Sequence, residues 1–363
     1  MREFLVKNID EVDSPSLLLY ASHLQYNIEQ MMKMVDNDHQ RLMPHIKTNK
    51  MVEVVKLMVE AGIYQFKTAT IGECEIAARA GAKNVLLSHQ LVGPKFKRFF
   101  RLISNYDESN FWTIVDNIES AKKLQDYAET ETIKLSVFID INNGMDRTGI
   151  KSGEKLNELV DFIYKCNNLI FLGLHVYDGH LRNPSLQSRK NAVKKDINEI
   201  EVLFDELKEE HPYLKFIVGG TPTFSVHSEY QSKICSPGTC VLWDWGYSEK
   251  LKEQKFKYAC LLLTRVISKP TDGIITVDLG HKSVASENPI DKRIKFLNLE
   301  DYELISQSEE HGVIKVKDWE KYSVGDVLYG IPYHICPTVN LHDYVNVVID
   351  GFAQDKWKII RNR

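Results

Sequence analysis

The sequence predicts an α/β protein: a (β/α)8 TIM-like barrel followed by a mainly β C-terminal domain. Two observations carry this. Over the first two thirds, short apolar β-type runs alternate with amphipathic helix patterns, the signature of parallel strands joined by right-handed crossovers. Beyond Glu253 the alternation gives way to short strand-like runs separated by turn dipeptides, the texture of a β domain.

The β-type runs are 14–20, 41–47, 64–70, 85–89, 111–116, 133–141, 170–177 and 215–219. Eight repeats over roughly 205 residues favour a closed barrel, which typically needs about 250, over an open doubly wound sheet. The runs are of the buried type rather than strictly alternating, as strands buried on both faces should be. Between them, stretches such as 52–61, 71–80 and 117–127 read as helices; Val52, Val55, Leu57, Met58 and Ala61 fall near the spacing of a buried stripe. The barrel is assigned to 14–247. The β domain, 254–363, has strand-like runs at 258–267, 273–279, 312–316, 324–329 and 345–349, with turn signals at Pro270, Asp272-Gly273 and Gly325-Asp326. Residues 1–13 form an N-terminal segment that stands alone or joins the β domain.

Composition bounds the function. Of 363 residues, 43% are hydrophobic and 26% charged, a globular profile that excludes disorder as the main state. A net charge of -4 with both signs interspersed gives no electrostatic footprint for nucleic acid. No apolar run reaches the ~18 residues of a membrane span, and the polar stretch 1–11 does not read as a secretory signal. Six cysteines without a C-x-x-C pair fit a reducing, cytoplasmic setting.

A barrel carries its chemistry where strands run into loops. Here those ends are Pro44-His45-Ile46-Lys47-Thr48-Asn49-Lys50, His89, 142–149, 175–180 and 218–223. Lys47 is the candidate Schiff-base lysine, against an ordinary solvated lysine. Arg147 fits either an anion-holding donor or a loop arginine. Tyr177 fits either a side chain flat against a bound ring or a core tyrosine. Gly219-Gly220-Thr221, and Gly238-Thr239 after it, fit either a phosphate cradle or Gly-rich turns. In the β domain, His334 and Cys336 would point the same way along a strand, a geometry that suits two ligands of one metal. A thiolate with an imidazole points to zinc; the alternative is a core cysteine beside a hydrogen-bonded histidine. Ser308-Glu309-Glu310-His311 is equally a ligand-orienting group and a charged turn.

Together these motifs resemble the D-threonine aldolase and D-serine dehydratase family of fold-type III pyridoxal-phosphate enzymes, with alanine racemase as a distant relative. The resemblance runs along essentially the whole chain. It rests on Ser14-Pro15-Ser16-Leu17-Leu18, Pro44-His45-Ile46-Lys47-Thr48, Ala69-Thr70-Ile71-Gly72-Glu73, Gly144-Met145-Asp146-Arg147-Thr148-Gly149, Gly219-Gly220-Thr221-Pro222-Thr223, Ser236-Pro237-Gly238-Thr239 and His334-Ile335-Cys336-Pro337-Thr338-Val339-Asn340-Leu341. It implies pyridoxal phosphate anchored on Lys47 rather than Lys50. Arg147 would then lie at the phenolic oxygen, Tyr177 would flank the ring, and Gly219, Gly220, Thr221, Gly238 and Thr239 would hold the phosphate. It implies a divalent metal on His334 and Cys336, zinc favoured and manganese the alternative, and a homodimer. Two residues depart from the family: Asn49 replaces the histidine of its Lys-Thr-His-Lys motif, and Ser236 stands where alanine racemase has an arginine facing the ring nitrogen.

The implied activity is a lyase acting on small D-3-hydroxy amino acids, by retro-aldol cleavage to glycine and an aldehyde or by dehydration to a 2-oxo acid and ammonia. His180 is the candidate base near the metal and Lys47 the α-proton base. The competing readings are an amino-acid racemase, which needs two opposed bases and no metal, and a non-catalytic pyridoxal-phosphate carrier.

Overall fold

The structure, a computed structural model, describes residues 1–361; the last two residues assigned to the β domain lie outside them. The chain divides into two compact units, one of 31–238 and one joining 1–30 to 239–360. The architecture is the expected one, a parallel barrel-type α/β unit and a mainly β unit, but the chain enters it differently.

The first strand, β1 (Ser16–Tyr20), is not a barrel strand. It pairs antiparallel with β9 (Cys260–Thr271) and parallel with β15 (Tyr344–Ile349), inside a nine-stranded sheet of the β unit. An apolar run such as Ser-Leu-Leu-Leu-Tyr satisfies any strand buried on both faces, so its sequence cannot say which sheet takes it. The segment before it goes the same way: Phe4, Val6 and Val12 pack with Leu18, Tyr20, Leu261 and Tyr329 in one core.

The α/β unit holds a curled seven-stranded parallel sheet in sequence order: β2 (Gln65–Thr68), β3 (Asn84–Leu87), β4 (Asn110–Val115), β5 (Leu135–Ile141), β6 (Leu169–Val176), β7 (Lys215–Val218) and β8 (Ile234–Cys235). The eighth member is the extended segment 42–45. Leu42 bridges Cys235 on one sheet edge and His45 bridges Lys67 on the other. Pro44 has no N–H to donate to a ladder, yet its carbonyl accepts from Lys67 N at 2.9 Å. Met43, Leu86, Trp112, Ile114, Phe138, Ile217 and Ile234 fill the interior. Helices cross between the strands, each with its apolar stripe inward; Val52–Glu60 buries Val52, Val54, Val55 and Met58.

In the β unit, β10 (Ile274–Val277), β11 (Ile294–Phe296), β12 (Tyr302–Gln307), β13 (Gly312–Val316), β14 (Val327–Pro332) and β16 (Phe352–Lys358) complete the sheet around β1, β9 and β15. All six cysteines are free thiols, four of them buried. Among the described residues, no helix is long and apolar enough to cross a membrane.

Candidate active site

The segment 42–45 delivers its last residue, His45, to the N-cap of a short 3-10 turn, Ile46–Thr48. His45 Nδ1 accepts the N–H of Lys47 at 3.3 Å. Burial, then the charges of Lys47 and Lys67, hold the imidazole well below its ordinary pKa, so it stays neutral and keeps that acceptor. The turn aims Lys47 at Tyr177, its Nζ 5.8 Å from the ring centroid. Lys50 is committed elsewhere: its Nζ lies 2.6 Å from Glu73 Oε1 in a buried ion pair. An ammonium locked to a carboxylate is a poor nucleophile, so Lys47 is the lysine of this motif that faces open chemistry.

Tyr177 comes just after β6 and collects two more cations. The Arg147 guanidinium lies 4.7 Å from its ring centroid and Lys67 Nζ 5.6 Å away. Lys67 is not among the residues that strand ends point to, and in β2, Gln65-Phe66-Lys67-Thr68, a lysine beside other polar residues does not stand out. It sits on β2, 2% exposed, and its Nζ approaches His175 Nε2 at 3.5 Å. His175 in turn donates from Nδ1 to Asp140 Oδ1 at 2.7 Å, and Gln90 donates to the other Asp140 oxygen at 3.0 Å.

The two glycine turns meet beside this ring. The N–H of Gly238 donates to Thr221 Oγ1 at 3.1 Å. Gly219 has φ +74°, and a Cβ there would lie 2.6 Å from His227 Cδ2; a Cβ on Gly220 would press on the Tyr177 ring at 3.0 Å. The buried Asp178 carboxylate pins the turn from below, accepting from Thr223 Oγ1 and His227 Nε2, each at 2.7 Å. The charge balance of this pocket is unequal. Lys47, Lys67 and Arg147 surround one ring, while the carboxylates of Asp140 and Asp178 are tied to His175 and His227. The buried Asn49 Nδ2 has no hydrogen-bond partner. Glycine turns, a flat aromatic wall and surplus cations suit a planar aromatic anion bearing a phosphate, and pyridoxal phosphate fits that description.

In the β unit, the expected strand geometry of His334 and Cys336 is not what forms. His334 is the extended N-cap of a short helix, Ile335–Val339, whose first turn holds Cys336. A short apolar stretch of this length does not distinguish strand from helix. The helix nonetheless brings the two side chains within hydrogen-bond reach. Asp244, 1% exposed, fixes the turn by accepting the N–H of Ile335 at 3.1 Å. His334 Nδ1 donates to Glu287 Oε1 at 2.6 Å, which leaves Nε2 as the ligand nitrogen. Burial pulls the His334 pKa down, but Cys336, Glu287 and Asp244 outweigh it and push it up to about 9. Thr239, the residue after Gly238, places its Oγ1 3.4 Å from Cys336 Sγ. Among the described residues no set of three or more His, Cys, Asp or Glu side chains could hold a metal. A centre on His334 and Cys336 would therefore be completed by water or substrate, the arrangement of catalytic rather than structural sites.

His180 joins Asn143 and Asp196: its Nε2 is 3.6 Å from Asp196 Oδ2, to which Asn143 donates at 2.6 Å. Its Nδ1 is buried without a partner. Ser236 Oγ spends its proton on Met43 O at 2.8 Å, and a neutral hydroxyl supplies no cation in place of an arginine. Glu309 and Glu310 both pair with Lys282 at the surface, the charged-turn reading of that motif.

The alanine racemase N-terminal domain matches residues 20–244, and the serine dehydratase domain matches 259–348. A 3-hydroxy-D-aspartate aldolase of Paracoccus denitrificans (strain Pd 1222) is 27% identical, covering 96% of this chain and 92% of its own length. A D-serine dehydratase of Dictyostelium discoideum is 23% identical over 96% of this chain and 98% of its own. The crystal structure of D-threonine aldolase from Filomicrobium marinum superposes with a TM-score of 0.85 at 24% identity, covering 96% of this chain and 95% of that one. The chain belongs to the alanine racemase N-terminal domain family of fold-type III pyridoxal-phosphate proteins, in the group that carries a C-terminal serine dehydratase domain.

Proposed function

We propose that this protein is a pyridoxal phosphate-dependent lyase that acts on D-3-hydroxy amino acids with the help of a divalent metal. The observation that carries the reading is the convergence of Lys47, Arg147 and the Gly219-Gly220 turn on the Tyr177 ring. Lys47 would anchor the cofactor, with its backbone N–H fixed by His45. Arg147 would hold the phenolic oxygen, Tyr177 would flank the ring, and Gly219, Gly220, Thr221, Gly238 and Thr239 would receive the phosphate. When bound, the cofactor supplies an electron sink for the carbanion left at the substrate's Cα. On His334 and Cys336 a metal would supply Lewis acidity at the β-oxygen, and the thiolate–imidazole pair favours zinc over manganese.

The protein's own groups decide which bond breaks. If His180, oriented by Asp196, takes the hydroxyl proton, the Cα–Cβ bond breaks and the products are glycine and an aldehyde. If Lys47 takes the α-proton, hydroxide leaves the β-carbon and the products are a 2-oxo acid and ammonia. A cytoplasmic homodimer is the assembly this reading carries with it.

The test is product analysis with D-threonine, with and without a chelator. Glycine plus acetaldehyde identifies the aldolase branch; 2-oxobutanoate plus ammonia identifies the dehydratase branch. Either must be lost on metal removal. Chelator-insensitive formation of a threonine epimer alone would replace the lyase reading with racemisation.

A further inference from the structure

Lys67 is the buried charge to which the lyase chemistry gives no task. Structural lysines in this unit are matched by carboxylates, as Lys50 is by Glu73 at 2.6 Å. Lys67 instead approaches a neutral imidazole, His175, whose other nitrogen is held by Asp140. With Nδ1–H given to that carboxylate, His175 Nε2 is an acceptor, and it takes one of the three donors a lysine ammonium offers. The amine faces the Tyr177 ring from 5.6 Å, alongside Lys47 at 5.8 Å and Arg147 at 4.7 Å. Three cations on one aromatic wall repel one another when nothing anionic lies among them. Burial first, then the charges of Lys47 and Arg147, push the Lys67 amine down to about 7, against the pull of Asp140 and Asp178. His45 is held neutral in the same group.

We propose that Lys67 is the proton-linked third cation of the cofactor pocket: it takes up a proton when a planar anion binds against Tyr177 and releases it when the anion leaves. An anion among the three cations removes the repulsion that keeps Lys67 uncharged, so binding and protonation are linked. This rests on the pocket being the pyridoxal phosphate site.

The probe is deoxypyridoxine phosphate, which has the ring, the phenolic oxygen and the phosphate but no aldehyde, so Lys47 chemistry is silent. Its affinity for the wild-type protein should fall by up to tenfold per pH unit above about 7. Calorimetry in buffers of different ionisation enthalpy should show net proton uptake near neutral pH. In Lys67→Met the uptake should be lost and the affinity should track only the probe's own titration. Lys67→Arg keeps a fixed charge and should abolish the uptake while retaining tight binding, which keeps the test open should the Met variant not fold. Wild-type binding with no uptake beyond that of either variant would overturn the linkage alone. No binding by the wild type at any pH would overturn the pocket assignment and the linkage with it.

Discussion

At the residue scale, one motif offers two lysines three positions apart and the structure gives them opposite tasks. Lys47 is presented by a capped turn to an aromatic wall; Lys50 is sealed against Glu73. Lys50→Met should leave Glu73 buried and unpaired, costing about 3 kcal/mol, read as a lowered urea midpoint with Lys47 still able to carry the cofactor. Unchanged stability would contradict the structural role. Gly219→Ala puts a Cβ where φ is +74° and His227 stands 2.6 Å away. It should weaken pyridoxal phosphate binding at least tenfold, the loss of about 1.4 kcal/mol, measured by fluorescence titration. Lys47, Arg147, Tyr177 and the glycine turns are legible in the sequence because barrel chemistry collects at strand ends. Lys67, Asp178 and Asp244 are not, since a buried polar residue looks like any other until its partners, distant in sequence, are brought to it.

At the scale of elements, two outcomes turn on ambiguity that no local pattern resolves. The run at 14–20 is a strand, as expected, but it joins the β sheet between β9 and β15. The segment after Tyr333 is helical where alternation suggests a strand, and His334 and Cys336 still come together because an N-cap and the first helical turn are close in space. The two-residue β8 leaves no periodic signal. Elsewhere β2 to β7 fall within a residue or two of the apolar runs, because short buried runs bounded by turn residues have few alternatives. One position tests the sheet directly. Gly173 on β6 has φ +142°, and a Cβ would fall 1.9 Å from Lys215 O of β7. Gly173→Ala should disrupt the β6–β7 pairing and cost more than about 4 kcal/mol, seen as loss of soluble protein or a collapsed thermal midpoint; a wild-type melt would contradict that register.

At the scale of the molecule, the chain starts in one unit, crosses into the other and returns. Its first 20 residues supply a central strand and three core side chains of the β unit. Deleting residues 1–20 should therefore abolish cooperative folding of that unit, because β9 and β15 would expose facing edges. A soluble deletion variant with a single sharp melt would contradict the strand order. Both family matches, 20–244 and 259–348, fall on this framework.

The proposed function stands or falls on Lys47 as the anchor of pyridoxal phosphate beside Tyr177. The most direct measurement is borohydride reduction of the cofactor-loaded protein and peptide mass mapping of the product. One stable adduct on Lys47 is expected; an adduct on Lys50 or Lys67 instead, or no adduct on any lysine, would rule Lys47 out as the anchor.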